Sequence, residues 1–193
     1  WIYDQRGYLD TYADRRLNRD GLYHTIGVRE TFNLWPARNL PYLTAYYAAH
    51  PHEARLFGDQ WLQCYLGYEY ANERTVGDEF DLFVHTLLYG VAVPPPYRLA
   101  FEFNGEFNWS NYTNRSIFDY EGKERFDFLQ RYDVGLVYTA VARGEYASLR
   151  TLEVKIRGGA EFSVQNSNIW NRRGEDIYEY DRGIYGVKLE VHF

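Results

Sequence analysis

Histidines beside acids are the natural place to seek catalysis or metal binding, and this chain offers two such groupings. His85 follows Asp81 by four residues, a spacing that puts both on one face of a strand. A polar lining residue explains His85 more simply than a catalytic pair does. His50, His52 and Glu53 cluster around Pro51. Two histidines at i, i+2 beside a proline suit a solvated turn, and no third strong ligand follows. A nucleophile needs a base within hydrogen-bond reach, and no G-x-S-x-G or comparable motif occurs. Cys64 is single, which excludes an intrachain disulfide and a cysteine-based metal centre. The expectation is therefore no catalytic residue, no metal, no cofactor and no enzyme.

The richest constellation is ionic. Arg98, Glu102 and Glu106 recur at even spacings, as do Arg131 and Asp133. Glu153, Lys155, Arg157 and Glu161 repeat the pattern, and Lys188, Glu190 and His192 close it. Even spacing places each set on one face of a strand. The last two sets are expected to neighbour each other across adjacent strands. In a narrow barrel such charges would pair across a filled interior. In a wide one they would line a water channel.

The elements that carry these residues read as strands. In Tyr185–Phe193 every odd position is apolar or aromatic, and Lys188, Glu190 and His192 fall between them. Leu152, Val154, Ile156, Ala160, Phe162 and Val164 alternate with the charges of their stretch. Leu99, Phe101, Phe103, Phe107 and Trp109 do the same, as do Tyr132, Val134, Leu136, Tyr138 and Ala140. Less regular strands are expected over roughly 21–35, 42–50, 60–71 and 79–93. The run Phe80–Val93 is apolar on both faces and suggests a bulge.

Composition narrows the setting. Aromatics make up 19% of the 193 residues, yet the mean hydropathy is −0.55. Many apolar rings in a chain that is polar on average call for fine alternation of the two. The net charge of −6 argues against nucleic acid as a partner. No apolar run reaches the length of a membrane helix. A soluble β-sandwich or small barrel is the plain alternative. Three features favour a barrel with lipid outside. The apolar face is too bulky to fill an eight-stranded interior. Tyr97, Trp109, Phe128, Tyr146 and Phe193 gather near strand ends, as interfacial girdles do. Tight turns at Pro94-Pro95-Pro96 and Arg143-Gly144-Glu145 alternate with long loops over about 111–124 and 166–180.

The ending Tyr185-x-Val187-x-Leu189-x-Val191-x-Phe193 resembles the terminal assembly signal of Gram-negative outer-membrane barrels, which the barrel-assembly machinery reads. The family's usual glycine five residues before the terminal aromatic is Lys188 here, with Gly186 two residues earlier. Asn166-Ser167-Asn168 followed by Tyr178-Glu179-Tyr180-Asp181-Arg182 looks like barrels that form the C-terminal domains of larger export proteins, some with tetratricopeptide repeats upstream. The resemblance implies an outer-membrane location, with the C-terminus and the tight turns on the periplasmic side. It implies contact with outer-membrane lipid and lipopolysaccharide, and with other subunits or an upstream periplasmic domain.

The fold expected is all-β: an antiparallel up-and-down transmembrane barrel of about eight strands, alone or as part of a wider barrel. Residues 21–193 would form it, and 1–20 would be a lead-in or the end of a preceding strand. Any signal peptide or upstream domain before Trp1 would have been removed or would lie outside this sequence. A channel or export pore is the first functional expectation. A small filled barrel serving as anchor or adhesion platform is second, and an outer-membrane enzyme a distant third. Three consecutive sequons beginning at Asn108, Asn111 and Asn114 read as external-loop composition. Loop aromatics Tyr112, Phe118, Tyr120, Trp170 and Tyr178 read as self-packing, with sugar or lipopolysaccharide contact as the alternative.

Overall fold

The computed structural model describes residues 2–6, 20–75, 77–148, 150–170, 173–176 and 178–193, the side chains of residues 2–6 and 78 excepted. Most of the 1–20 lead-in lies outside the described residues. Its Ile2–Arg6 forms a short first strand, β1. Seven long strands follow: β2 Gly21–Pro36, β3 Trp61–Thr75, β4 Leu82–Val93, β5 Leu99–Arg115, β6 Glu124–Val141, β7 Glu153–Ser167 and β8 Tyr180–His192. They form one antiparallel up-and-down sheet in sequence order. Among the described residues β8 pairs only with β7, so the sheet is open.

The clean alternation of the last four strands places them as the sequence reading does. Glu153 lies opposite His192, Lys155 opposite Glu190 and Arg157 opposite Lys188. The expected strand at 42–50 is absent. Two helices occupy the β2–β3 connection instead: α1 Pro41–Ala49 and α2 Pro51–Phe57. Each has proline in its first turn, where the missing N–H costs nothing. Leu40, Leu43 and Tyr47 recur at helical spacing and are the buried residues there. The tyrosine-rich run therefore belongs to a period near 3.6, not 2.

Four further expectations are corrected. No bulge interrupts β4, which keeps continuous register with both neighbours. Its positions Val84, Leu88, Gly90 and Ala92 pair with residues of the polar face, and the Tyr65 ring lies over Gly90. The register shifts lie in β2, β5 and β6. Arg143-Gly144-Glu145 is the start of a connection spanning 142–152, not a tight hairpin, and β5 and β6 shorten the expected 111–124 loop to 116–123. Of the connections on the C-terminal rim (37–60, 94–98, 142–152), only 94–98 is shorter than all those on the opposite rim (76–81, 116–123, 168–179). Asn108, Asn111 and Asn114 all lie within β5, so the sequons are not a loop.

The apolar core sits in an unusual place. Ala37, Leu40, Leu43, Tyr47, Phe57 and Ala142 form it, and all belong to connections on the C-terminal rim. The strands supply only Ala71, Val84 and Val137 to the buried apolar set. The sheet has no hydrophobic core of its own among the described residues.

The polar concave face as candidate functional site

The pairing register assigns each strand residue to one of two faces. One carries Leu22, Ile26, Val28 and Phe32 of β2, Phe101, Phe103 and Phe107 of β5, and Leu136 and Tyr138 of β6. It continues with Val154 and Ile156 of β7 and Tyr185, Val187, Leu189 and Val191 of β8. This face is exposed: Val28 is 69% and Val187 80% accessible. At its centre aromatic rings form a continuous layer. Tyr89, Phe103, Phe107 and Tyr132 meet at centroid distances of 5.3–6.4 Å, and Trp109 stacks on Phe128 at 5.5 Å.

The other face is polar, and side chains from many strands converge on it. One cavity of 360 Å³ is lined by residues of β3 through β8, including Gln63, Glu102, Thr139, Lys155, Arg157 and Glu190. Six consecutive strands can share one cavity only if the sheet curves toward that side. The polar face is therefore concave, and the apolar one convex. Buried polar residues Thr86, Asp127, Thr139 and Ser163 lie on it too.

Arg157 is the hub. Its guanidinium reaches Glu102 at 3.2 Å and Asp133 at 2.5 Å, so it links β7 to both β5 and β6. Bare backbone at Gly135 makes the path, since a Cβ there would lie 2.7 Å from the guanidinium. Asp133 also accepts from Asn104 at 3.1 Å, and Asn104 accepts from the Tyr65 hydroxyl at 3.0 Å. Arg29 lies over the Tyr65 ring at 3.7 Å, a cation–π contact. Tyr65 spans from β3 to β5 because Gly90 lies beneath it, where a Cβ would stand 2.3 Å from the ring. A polar chain thus crosses the concave face from β2 to β7. Arg131 forms a second bridge, 3.0 Å from Glu106 and 3.7 Å from Glu161. Lys155–Glu153 and Lys188–Glu190 pair along their own strands at 3.1 and 2.9 Å.

The expected charged set therefore shares one face, with one exception. Arg98 lies in the 94–98 connection at φ 61, next to Tyr97 at φ 56, both outside the usual range for residues with side chains. It points into the C-terminal rim, donating to Glu145 at 2.7 and 3.1 Å and to the Ala140 carbonyl at 3.2 Å. Glu145, which also accepts from the Ala142 amide, is held below the usual carboxylate range, first by the Arg98 hydrogen bonds. From the helices, Glu53 approaches Arg98 at 3.7 Å and His52 approaches Glu145 at 3.9 Å. The Tyr46 hydroxyl donates to Glu53, and Tyr47 donates to the Pro95 carbonyl at 3.0 Å. Burial pushes the Tyr47 phenol up to about 12.

The histidine groupings dissolve on inspection. His50 stacks on Tyr46 at 4.3 Å, so His50, His52 and Glu53 do not converge on one point. Asp81 precedes β4 and accepts from the Thr75 amide, while His85 lies on the convex face 2.6 Å from the Tyr68 hydroxyl. No group of three metal-ligating side chains is found among the described residues. At the opposite rim, Arg125 pairs with Asp127 and lies between the rings of Tyr112 and Tyr178, at 4.4 and 3.3 Å. Tyr120 and Trp170 are exposed there. Of the residues expected to form an assembly signal, Tyr185, Val187, Leu189 and Val191 lie along the convex face of β8, and Phe193 follows the strand, almost fully exposed.

Sequence reading missed Arg29, Tyr65 and Asn104, whose contact skips over β4. It also missed the Arg98 cluster, which no local pattern announces. Comparison with known protein families, with curated proteins and with solved structures finds no match.

Proposed function

We propose that this chain is a transmembrane part of a bacterial outer-membrane β-barrel whose polar concave face lines a channel or export pore. The observation that carries this reading is the distribution of polarity: the apolar face of the sheet is exposed, and its paired charges lie on the opposite, concave face. A monomer in water rarely exposes contiguous apolar surface beyond a few hundred Å². An apolar belt outside and polar side chains inside is what a strand-built membrane protein requires. No helix of the structure is long and apolar enough to cross a membrane, so strands would do it.

On this reading the convex face meets lipid, the C-terminal rim faces the periplasm and Phe193 is read during assembly. The opposite rim, with Tyr120 and Trp170, meets lipopolysaccharide. Arg157 and Arg131 each bridge two carboxylates, so lumen charges largely cancel and selectivity is weak. The same dense pairing favours the second reading, a filled barrel that serves as an anchor.

Planar-bilayer recording separates the two. Wild type is compared with Glu102→Gln and Lys155→Gln, both at the cavity. Conductance whose ion preference shifts in opposite directions in the two variants supports the pore. The anchor is left if nothing conducts, even with residues 38–59 replaced by a short linker, and both substitutions lower thermal stability.

A further inference from the structure

The helical connection leaves the sheet at Pro36 of β2 and returns at Trp61 of β3, which pair with each other. Between those points it does not stay over its own two strands. Leu40, Leu43 and Tyr47 pack with Ala142 of the β6–β7 connection, and Tyr47 reaches Pro95 of the β4–β5 connection. A path from β3 to the end of β6 across a curved sheet is a chord, and a chord passes on the concave side. Gln60, the last residue of the segment, lines the cavity together with Glu102, Lys155, Arg157 and Glu190.

The two sides of this segment are held differently. Next to β2 and β3 it is anchored covalently and by the apolar cluster, with Leu62 packed against it. At its far side the apolar partners from other connections, among the described residues, are Ala142 and the Tyr97 ring, which meets Tyr46 edge-on at 4.7 Å. The remaining far-side contacts are polar: Tyr47 to Pro95, Glu53 to Arg98 and His52 to Glu145. Arg98 and Glu145 are bound to each other and to the sheet's own backbone, at Ala140 and Ala142. They form a fixed receptor that remains intact when the helices leave. The segment is thus anchored covalently on one side and held on the other by a small set of side-chain contacts, two apolar and three polar.

We propose that residues 37–60 form a hinged lid over the C-terminal mouth of the pore, latched by Glu53 and His52 to the Arg98–Glu145 pair. The proposal rests on the channel reading and adds its control element. Lid closure places α1 and α2 across the concave face at that rim. Release swings them toward β2 and β3 and opens the 360 Å³ cavity to the periplasmic side.

The test is a reversible tether in purified full-length protein, in a Cys64→Ser background. Cysteines replace Tyr46 and Tyr97, whose rings lie 4.7 Å apart, and are joined by a short thiol-cleavable bis-maleimide. Bilayer conductance should be suppressed while the link is intact and return on cleavage in the same membranes. Independently, Glu53→Gln, which spares the Arg98–Glu145 pair, should raise the open fraction about 5- to 10-fold, the effect of losing one partly buried charged contact. Equal conductance of linked and cleaved protein would overturn the lid while leaving the channel. A variant with 38–59 replaced by a linker that still does not conduct would remove the pore, and the lid with it.

Discussion

The channel reading is most exposed at the middle of β8. The strand runs Tyr180–His192, so its centre is Gly186, and Val187 stands one residue away on the convex face. Val187 is 80% accessible and lies opposite Gly158, where an added Cβ would meet nothing within 4 Å. Val187→Arg therefore creates no clash and removes almost no protein packing. If the convex face meets water, the change is an ordinary surface substitution, within about 0.5 kcal/mol of wild type. If it meets lipid, an arginine near the midplane costs about 2–4 kcal/mol.

Val191 supplies the internal control. It shares the face, is 42% accessible and lies four residues further along, about 13 Å at the usual rise of a strand. Near the interface the same substitution should cost only about 0–1 kcal/mol. The assay is reversible denaturant unfolding in phospholipid vesicles, followed by tryptophan fluorescence. A steep gradient, with Val187→Arg destabilising by at least 1.5–2 kcal/mol more than Val191→Arg, is expected on the depth dependence of arginine insertion. Equal and near-zero effects at both sites would place the convex face in water and end the membrane reading.

Removing Phe193, which is almost free of contacts, should lower surface abundance in cells far more than refolding yield in detergent; equal losses would make it a packing residue. Gly90→Ala should force Tyr65 off Asn104 and cost about 1–3 kcal/mol, as overpacking does, with the loss read by thermal unfolding. The rim should also respond to pH in two windows. Glu145 has its folded value depressed by Arg98, so its contribution is complete above the ordinary carboxyl value near 4.5 and fades as pH falls through the depressed value. Tyr47 has its folded value raised to about 12, so its contribution is complete below 10 and fades as pH rises toward 12. Thiol labelling of a cysteine at position 43, buried in the wild-type rim, should accelerate in both windows and stay slow between them.

Legibility in the sequence tracked the physics of each element. β5 to β8 could be read because each of their faces meets one environment along most of its length, so alternation survives. The charged face of those strands, and the neighbouring of the β7 and β8 charges across the pair, followed from the same period. Residues 42–50 could not be read this way. Tyrosine and alanine there serve a helix whose partners, Ala142 and Pro95, lie far off in sequence. The Tyr65–Asn104 contact was equally hidden, because it depends on an absent side chain at Gly90 between the two strands. Arg98 sits at the end of an alternating series and reads as its first member. Only the left-handed backbone at Tyr97 and Arg98 turns it out of the strand and into the rim.

Three features that look unrelated have one cause on the proposed reading. Among the described residues the sheet lacks a hydrophobic core of its own, its charges are closely paired, and the apolar cluster lies on a rim. Lipid outside the sheet takes over the part a core plays in a soluble protein, so the inner face is released from burying apolar groups. Charges placed there lie in a confined space with less water than a free surface, which favours multiple partners such as those of Arg157 and Arg131. The helical connection lies beyond the strands, at the membrane edge, where water returns and apolar residues must again pack on one another. Its cluster is then the small soluble core of a protein whose larger part is solvated by lipid. Among the described residues β8 pairs only with β7, and a strand edge in hydrocarbon must be satisfied by hydrogen bonds. β1 and β8 are the first and last of eight alternating strands and run in opposite directions. Antiparallel closure on β1, directly or through an even number of further strands, fits the existing order without reversing any strand.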